Sequence, residues 1–300
     1  MITIVTDSVA AIPAEMRERY KVEVVSLYIN YKEKEYLDAE MDLDVFYSKI
    51  SEMADNPPIS SQPSYLDFES KFEAVAERGD FLLGVFISSE MSGTLDGALR
   101  TARAVAQEYP EFKYRIVDST SNSFDEACAV LDACQARENE GDLDSCAQAA
   151  LNAIPCSRFL FTPESLTFLQ KGGRIGGAKA LLGNLIKVCP VLTVSNGKAE
   201  TLAKVRTRKK ALAYIVETLK ADIESSAGLK RLVVHYIGDK EPAIAWAKKE
   251  IEPLLGHKVD VLPVSPVIGL HVGPSVGIAY ECNKPVKGKL SIQPETLIFA

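Results

Sequence analysis

The sequence predicts an α/β protein built of two α/β domains with a ligand cleft between them, and three observations support this. Apolar, β-branched segments alternate with segments of helical composition through the first half of the chain, which is typical of a mostly parallel sheet covered by helices. Near residue 156 the pattern changes to hairpin signals and glycine-rich loops. Polar motifs follow several predicted strands. We therefore divide the 300 residues into domains at 1–156 and 157–300.

The first predicted domain opens with a strand at residues 2–5, which is β-branched and runs into Thr6-Asp7-Ser8. Asp7 and Ser8 are expected to cap the helix that follows, and Pro13 is suited to the start of that helix. Further strands are predicted at residues 22–31, 81–87 and 114–117, and helices at residues 15–20, 44–55, 65–78, 94–109 and 124–140.

In the second predicted domain, the turn residues Ser195-Asn196-Gly197-Lys198 separate two apolar segments and indicate a β-hairpin. The glycine-containing segment 267–280 is predicted to form two strands around a tight turn. The other predicted elements are strands at residues 159–162, 191–194, 202–205 and 232–236, and helices at residues 163–169, 208–225 and 242–255.

Composition excludes several classes of protein. With 47% hydrophobic and 25% charged residues, the chain can bury a core and is not disordered. The net charge of −7 argues against nucleic acid as a partner, because phosphate neutralisation needs a basic face. Six cysteines without CxxC spacing and three histidines argue against a metal site and indicate buried, reduced thiols.

The membrane is also excluded as a stable location. The opening Met1–Asp7 reaches an acidic residue too early for a signal peptide. Apolar runs stay well short of the roughly 20 residues that a membrane span needs. We therefore expect a cytoplasmic protein without stable membrane insertion.

Five short polar motifs suggest a function. They supply hydroxyls, an imidazole, a guanidinium and glycine-exposed amides, which together hold a carboxylate or a phosphate. Acid–base pairs and metal clusters are missing from them, so they favour binding over unaided bond cleavage. The motifs are Thr6-Asp7-Ser8, Ser60–Ser64, Ser88–Thr94, Lys171–Ile175 and Gly269–Pro274.

Ser60, Ser92 and His271 each have a structural and a functional interpretation. Ser92 could cap the helix that follows it, but a helix N-terminus also attracts anions. Ser60 precedes Pro63, which favours an extended backbone and a free hydroxyl, although an ordinary turn serine would look the same. His271, between two glycines, is either a core histidine or a donor to a carboxylate.

The basic residues also allow two interpretations. Arg174 is either a surface or C-capping residue, or a clamp on a carboxylate or a transferred phosphate. The basic stretch 204–210 is either a solvated helix start or a surface for an anionic partner. His235 and His257 are expected to be structural.

In this order, the motifs resemble the DegV family of bacterial lipid-binding proteins, over nearly the whole chain. The most specific part is Leu169–Ile175, continuing through Gly183–Lys187 to Pro190. The resemblance implies that the protein holds a fatty acid in an apolar tunnel. It also implies that the protein presents the carboxylate to a separate, ATP-binding kinase subunit, which makes acyl phosphate.

For the site, the resemblance implies that Ser60, Ser92 and His271 bind the fatty-acid carboxylate. Arg174 would lie at the junction with the partner or with the transferred phosphate. The chain itself would carry no catalytic residue, no metal and no cofactor apart from the bound fatty acid. We expect Ala178–Leu185 and Val188–Val194 to form one wall of the tunnel and the first-domain helices the other.

The sequence departs from the family pattern at four places. Ser60 stands where threonine is usual, the loop 118–124 lacks the usual glycines, and Ser275 stands where glycine is favoured. The tail 287–300 extends past the resemblance. The first two departures concern the lining of the pocket and its chain preference more than the head-group site.

Two other functions compete with fatty-acid binding. An autonomous hydrolase could use Ser92 and His271, but the sequence lacks a GxSxG elbow and a clear orienting acid. A kinase with its own nucleotide site would need GxxxxGK[ST] and paired carboxylates for Mg²⁺, which the sequence also lacks.

Overall fold

The computed structural model describes residues 1–181, 188–291 and 293–300, without the side chains of residues 294 and 295. In the first part, the strands are β1 Ile2–Asp7, β2 Glu23–Val25, β3 Tyr28–Tyr31, β4 Lys34–Leu37, β5 Ile59–Ser61, β6 Phe81–Phe86 and β7 Tyr114–Asp118. The helices are α1 Ala14–Tyr20, α2 Leu43–Ser48, α3 Tyr65–Glu77, α4 Thr94–Glu108, α5 Ser123–Glu138 and α6 Leu143–Ala153.

In the second part, the strands are β8 Ser157–Pro163, β9 Cys189–Ser195, β10 Lys198–Val205, β11 Leu229–Ile237, β12 Asp260–Pro263, β13 Ser275–Cys282 and β14 Ile298–Phe299. The helices are α7 Thr167–Lys171, α8 Arg208–Ser225, α9 Glu241–Trp246, α10 Glu252–Leu255 and α11 Pro266–Val272. A π-helical turn at Ala247–Ile251 joins α9 to α10.

The described strands form three sheets. The first has the order β14-β7-β6-β1-β2, with β14 antiparallel and the other strands parallel. The second has the order β10-β9-β8-β13-β11-β12, and the third is the small antiparallel sheet β4-β3-β5. The second sheet begins at Ser157, whereas β14 returns to the first sheet. The division at residue 156 stays a prediction.

Helix α5 lies between the two larger sheets. It packs against β1 and β6 on one side and β8 and β13 on the other, and its residues from Ser123 to Leu131 are buried. Such a helix needs apolar residues all round rather than on one stripe. One continuous core therefore joins both sheets, from Ile4 and Val117 to Phe159 and Phe161.

The largest correction to the sequence analysis concerns residues 267–280, which were predicted to be two strands. Residues 266–272 form helix α11, and only β13 is a strand. The helix begins at a Ser265 cap followed by Pro266 at its first position, and it ends at Gly273, whose φ is 72°. Because α11 is buried on nearly all sides, its sequence lacks the polar positions that reveal a helical period.

Three smaller predictions were also wrong. The helix expected at 44–55 ends at Ser48, and a 3₁₀ turn follows at Ile50–Met53. Asp7 and Ser8 do not cap α1, whose N-cap is Pro13. Helix α6 was not predicted, although Asp142 caps it by accepting a hydrogen bond from the Ser145 N–H (2.8 Å).

Asp7 and Ser8 instead join neighbouring loops at the end of β1. The Asp7 carboxylate accepts hydrogen bonds from the N–H groups of Val9 (3.0 Å) and Ile87 (2.8 Å). The Ser8 hydroxyl oxygen accepts one from the Leu27 N–H (3.0 Å). These contacts position two residues of the cavity described next, because Leu27 and Ile87 both line it.

Candidate functional site

A cavity of about 310 Å³ is lined by the second sheet, by helices α7 and α11, and by loops that follow strands of the first sheet. Its apolar lining consists of Leu27, Ile87, Met91, Phe159, Phe161, Leu169, Val194, Ala199, Val267, Ile268 and Val272. Its polar lining consists of Ser60, Ser61, Gln62, Ser92, Asn122, Arg174 and His271. A cavity with this division suits an amphipathic ligand.

Ser60 and His271 form a hydrogen-bonded pair in the cavity wall. Ser60 lies on β5 and His271 on the last turn of α11, and their Oγ and Nε2 atoms are 2.8 Å apart. Gly172 makes room for the imidazole, because a Cβ at Gly172 would lie 2.3 Å from the Nδ1 of His271. Burial, together with the nearby charge of Arg174, lowers the pKa of His271 to about 4. The imidazole is therefore neutral at pH 7.

The other ring nitrogen determines which way this hydrogen bond points. Among the described residues, Nδ1 of His271 is buried without a partner. An orphaned N–H is rarer in proteins than an orphaned acceptor, so we assign the proton to Nε2, which donates to Ser60 Oγ. The hydroxyl hydrogen of Ser60 is then directed away from His271 and can be donated to an anionic ligand.

Ser92 lies just before α4 but is not its N-cap. The N-cap is Gly93, which has no side chain to bond the first amides. The Ser92 hydroxyl pairs with that of Thr94 (2.8 Å) and accepts from the Thr94 N–H (3.3 Å). Because Ser92 and Gly93 line the cavity, the positive end of the 15-residue helix α4 is placed beside it. This arrangement favours an anion.

Arg174 connects two loops at the polar end of the cavity. Its Nε donates to the Met91 carbonyl (3.2 Å), and one terminal nitrogen donates to the Gly172 carbonyl (2.7 Å). Lys171 holds the start of the same loop by donating to the carbonyls of Ala54 (2.8 Å) and Asp55 (2.7 Å). A guanidinium that is exposed and lines the cavity is thus fixed in place.

Helix α11 is held at its first turn by residues that the sequence analysis did not identify. The Asp38 carboxylate accepts from the Val267 N–H (2.9 Å), and the Tyr47 hydroxyl donates to the carbonyls of Val264 (2.7 Å) and Ser265 (3.0 Å). Burial raises the pKa of Asp38 to about 6. These contacts fix the helix that carries His271.

The geometry does not match the hydrolase arrangement considered above. His271 pairs with Ser60 and not with Ser92, and within the described part of the chain no carboxylate orients its Nδ1. Over the same residues, no group of three or more His, Cys, Asp or Glu side chains is arranged to hold a metal. The described helices also include none that is long and apolar enough to cross a membrane.

Comparison with known proteins places the chain in a family. The model of the DegV family, a family of uncharacterised proteins, matches residues 1–283. The chain belongs to the DegV family. A DegV domain-containing protein of Clostridium acetobutylicum is 37% identical over 291 residues, covering 95% of this chain and 99% of that protein.

Two solved DegV structures share the fold. A DegV family protein from Thermus thermophilus, reported to bind fatty acid, superposes with a TM-score of 0.81 at 31% identity. DegV from Bacillus subtilis, a fatty acid binding protein, superposes with a TM-score of 0.81 at 28% identity. In both cases the match covers 94% of this chain and 99% of the other. The predicted family is confirmed.

The four predicted site residues of this DegV chain, Ser60, Ser92, Arg174 and His271, all line the same cavity. Their roles toward a ligand stay a prediction. The sequence analysis did not identify Gln62 or Asn122, which also line it. Gln62 belongs to the predicted serine motif, and Asn122 to the loop noted for its missing glycines, so both lay within stretches already singled out.

The expected walls of the tunnel need correction. Val194 lines the cavity as predicted, but Ala178 does not appear in its lining. The predicted segment Gly183–Lys187 lies outside the described residues, which exclude 182–187. The first domain contributes strand ends and loops, such as Leu27 and Ile87, rather than helices.

Proposed function

We propose that this protein binds a fatty acid. The acyl chain occupies the cavity, and the carboxylate lies at the polar end, where the hydroxyls of Ser60 and Ser92 donate to it and His271 orients the Ser60 hydroxyl. The observation that supports this most directly is that one cavity combines an extended apolar lining with neutral donors and a helix N-terminus. Solved relatives that bind fatty acids add to that support.

Both ends of the ligand contribute to the proposed affinity. Each buried methylene is worth about 0.8 kcal/mol, so a long acyl chain supplies most of the binding free energy. Donors to a desolvated carboxylate add about 1.5–3 kcal/mol each when the bond is to a charged group. In the tautomer assigned above, the Nε2–H of His271 donates to the Ser60 oxygen, so the Ser60 hydroxyl hydrogen is available to the carboxylate.

We further propose that the bound carboxylate is presented in the cytoplasm to a separate, ATP-binding kinase subunit. The sequence has no GxxxxGK[ST] phosphate loop, and in this proposal the partner subunit holds the nucleotide. Arg174 is exposed and lines the cavity, which suits a residue that contacts the phosphate or the partner during transfer.

The binding proposal is tested by releasing lipid from the purified protein and analysing it by mass spectrometry, before and after loading with fatty acids of several lengths. We expect a stoichiometric fatty acid. Ser92→Ala should weaken binding by about 1.5–3 kcal/mol, because it removes a donor to a charged group. His271→Ala should weaken binding by about 0.5–1.5 kcal/mol, because it removes the neutral donor that orients Ser60. Neither change should unfold the protein. His257→Ala is the matched control, because His257 is exposed, does not line the cavity and pairs its Nδ1 with the Lys258 carbonyl (2.8 Å). Protein that stays free of lipid after loading would refute the proposal.

The kinase proposal requires a phosphorylation assay with and without the cognate kinase subunit. The isolated chain should neither hydrolyse ATP nor form acyl phosphate. Arg174→Ala should lower the phosphorylation rate more than it lowers fatty-acid affinity, whereas Arg100→Ala, at an exposed position on α4, should change neither. Turnover of ATP by the isolated chain would contradict the two-component mechanism.

The 2.8 Å contact between Ser60 and His271 is the one observation that favours a second function, a Ser–His hydrolase. Such a hydrolase would use Ser60 rather than the Ser92 considered from the sequence. Release of p-nitrophenol from acyl esters by the wild type, abolished in both Ser60→Ala and His271→Ala, would establish it. We expect no such activity, because the imidazole lacks an orienting carboxylate among the described residues.

A further inference from the structure

The last part of the chain, residues 284–300, extends past residue 283, where the match to the family ends. This segment passes from the second sheet to the first. The hydroxyl of Ser195 on β9 donates to the carbonyls of Gly288 (3.2 Å) and Lys289 (3.0 Å). Strand β14 then pairs antiparallel with the edge strand β7. Residues 284–291 therefore contact the second sheet, and residues 298–299 pair with the first.

Lys289 anchors this segment against α5. Its side chain is 1% exposed, and its Nζ contacts the Asp125 carboxylate, which is 0% exposed. A lysine is almost never buried so fully unless it is paired. Removing one partner of a buried pair leaves an uncompensated charge, so the contact holds the segment only while both residues are present.

The Lys289–Asp125 pair supports a loop that lines the cavity. Asp125 lies in the first turn of α5, and the carboxylate oxygen that Lys289 contacts also accepts from the Ser121 hydroxyl. The neighbouring residue, Asn122, lines the cavity. A substitution of Lys289 can therefore affect the position of Asn122 through the Lys289–Asp125 contact and the Asp125–Ser121 hydrogen bond.

This loop has a conformation that depends on such support. Thr120 and Ser123 have φ values of 52° and 56°, in the left-handed region that residues other than glycine rarely adopt. Asn122 lies between them, and its Nδ2 donates to the sulfur of Met91 (3.3 Å), another lining residue. Contacts from outside the loop, including that of Lys289, must hold it in this shape.

The same segment also contacts the strand that carries the lining residue Val194. Ser195, which donates to its carbonyls, directly follows Val194. The next residue, Asn196, adds two hydrogen bonds: its N–H donates to the Lys289 carbonyl (3.4 Å), and its Oδ1 accepts from the Ser291 N–H (2.8 Å). Residues 284–291 therefore join the support of Asn122 to the strand of Val194, alongside the hydrogen bond from the Ser88 hydroxyl to the Gly197 carbonyl (3.0 Å).

We propose that residues 284–291 determine which acyl chains this protein accepts, by limiting how far the cavity walls separate, with Lys289 as the positioning residue. The inference rests on the proposed fatty-acid binding and names its specificity determinant. It predicts that wild-type affinity rises with chain length and then stops rising where the walls can no longer separate.

The test measures dissociation constants for saturated fatty acids in two-carbon steps, using the full-length wild type, Lys289→Met and Ser195→Ala. Ser195→Ala removes one hydroxyl and no charge, so it keeps the test decisive if Lys289→Met does not fold. Lys287→Met is the control, because it makes the same substitution in the same segment at an exposed position.

In Lys289→Met we expect the chain length of highest affinity to increase by at least one two-carbon step, and in Ser195→Ala we expect a smaller change toward longer chains, because Asn196 still binds the segment. Two extra buried methylenes correspond to a change in selectivity on the order of tenfold. Lys287→Met should keep the wild-type profile. An unchanged profile in the folded variants, or an equal loss of affinity at every chain length, would overturn the inference. A wild type that binds no fatty acid would overturn the proposed function as well.

Discussion

Gly172 offers a way to disturb the Ser60–His271 pair without altering either residue. Gly172 has φ −74° and ψ −8°, a conformation that alanine adopts without strain. The added Cβ, however, would lie 2.3 Å from the Nδ1 of His271. Ordinary contacts of this kind are about 3.5–4.0 Å long, so the imidazole must move by about 1 Å or more.

A displacement of that size breaks the 2.8 Å hydrogen bond from His271 to Ser60. The Ser60 hydroxyl then loses the donor that directs its hydrogen toward the ligand. The broken hydrogen bond joins two neutral groups and is worth about 0.5–1.5 kcal/mol, which corresponds to a roughly twofold to tenfold increase in Kd. Gly172→Ala is therefore expected to weaken fatty-acid binding by this factor.

Displacement of a fluorescent fatty acid measures the Kd, and urea unfolding establishes that the variant is folded. Gly173→Ala is the control. Gly173 has φ 72° and no neighbour within 4 Å of an added Cβ, so this change should cost about 1–2 kcal/mol of stability and leave the Kd unaltered. Wild-type affinity in Gly172→Ala, or an equal weakening in Gly173→Ala, would refute the role given to the pair.

Two further predictions concern stability. Burial lowers the pKa of His235 to about 4, while its Nδ1 contacts the Leu262 carbonyl (3.0 Å) and its Nε2 accepts from the Phe124 N–H (3.3 Å). The unfolded chain takes up this proton near pH 6.5 and the folded one near pH 4. The stability His235 contributes is therefore present above pH 6.5 and is lost as the pH falls toward 4, by up to about 1.4 kcal/mol per pH unit. Urea unfolding at several pH values should show this loss in the wild type relative to His235→Gln, and parallel curves would contradict it. Tyr47→Phe removes the hydroxyl that donates to two carbonyls at the start of α11. This change should cost about 1 kcal/mol of stability and weaken fatty-acid binding. An unchanged Tm and Kd would show that α11 keeps its position without the Tyr47 hydroxyl.

Elements whose signals are local were predicted from the sequence. The hairpin at Ser195–Lys198 forms as expected, with β9 and β10 antiparallel around it, because its turn residues select that geometry over four positions. Buried strands such as β6 and amphipathic helices such as α4 were also located. Helix α11 was not, because a helix buried on nearly all sides is apolar throughout and shows no period.

The composition of the candidate site was predictable, and its arrangement was not. The hydroxyls, imidazole, guanidinium and glycine-exposed amides of the motifs indicated anion binding, and the order of the motifs resembled the DegV family. The sequence by itself did not show that His271 pairs with Ser60, 211 positions away, or that Lys289 is buried against Asp125. Both contacts form only when the two sheets and the small third sheet pack around α5 and α11. The sequence alone thus determined the chemistry available at the site, whereas the tertiary structure decided which groups meet there. The physical reason is that each group's partners depend on long-range packing, which local sequence does not encode.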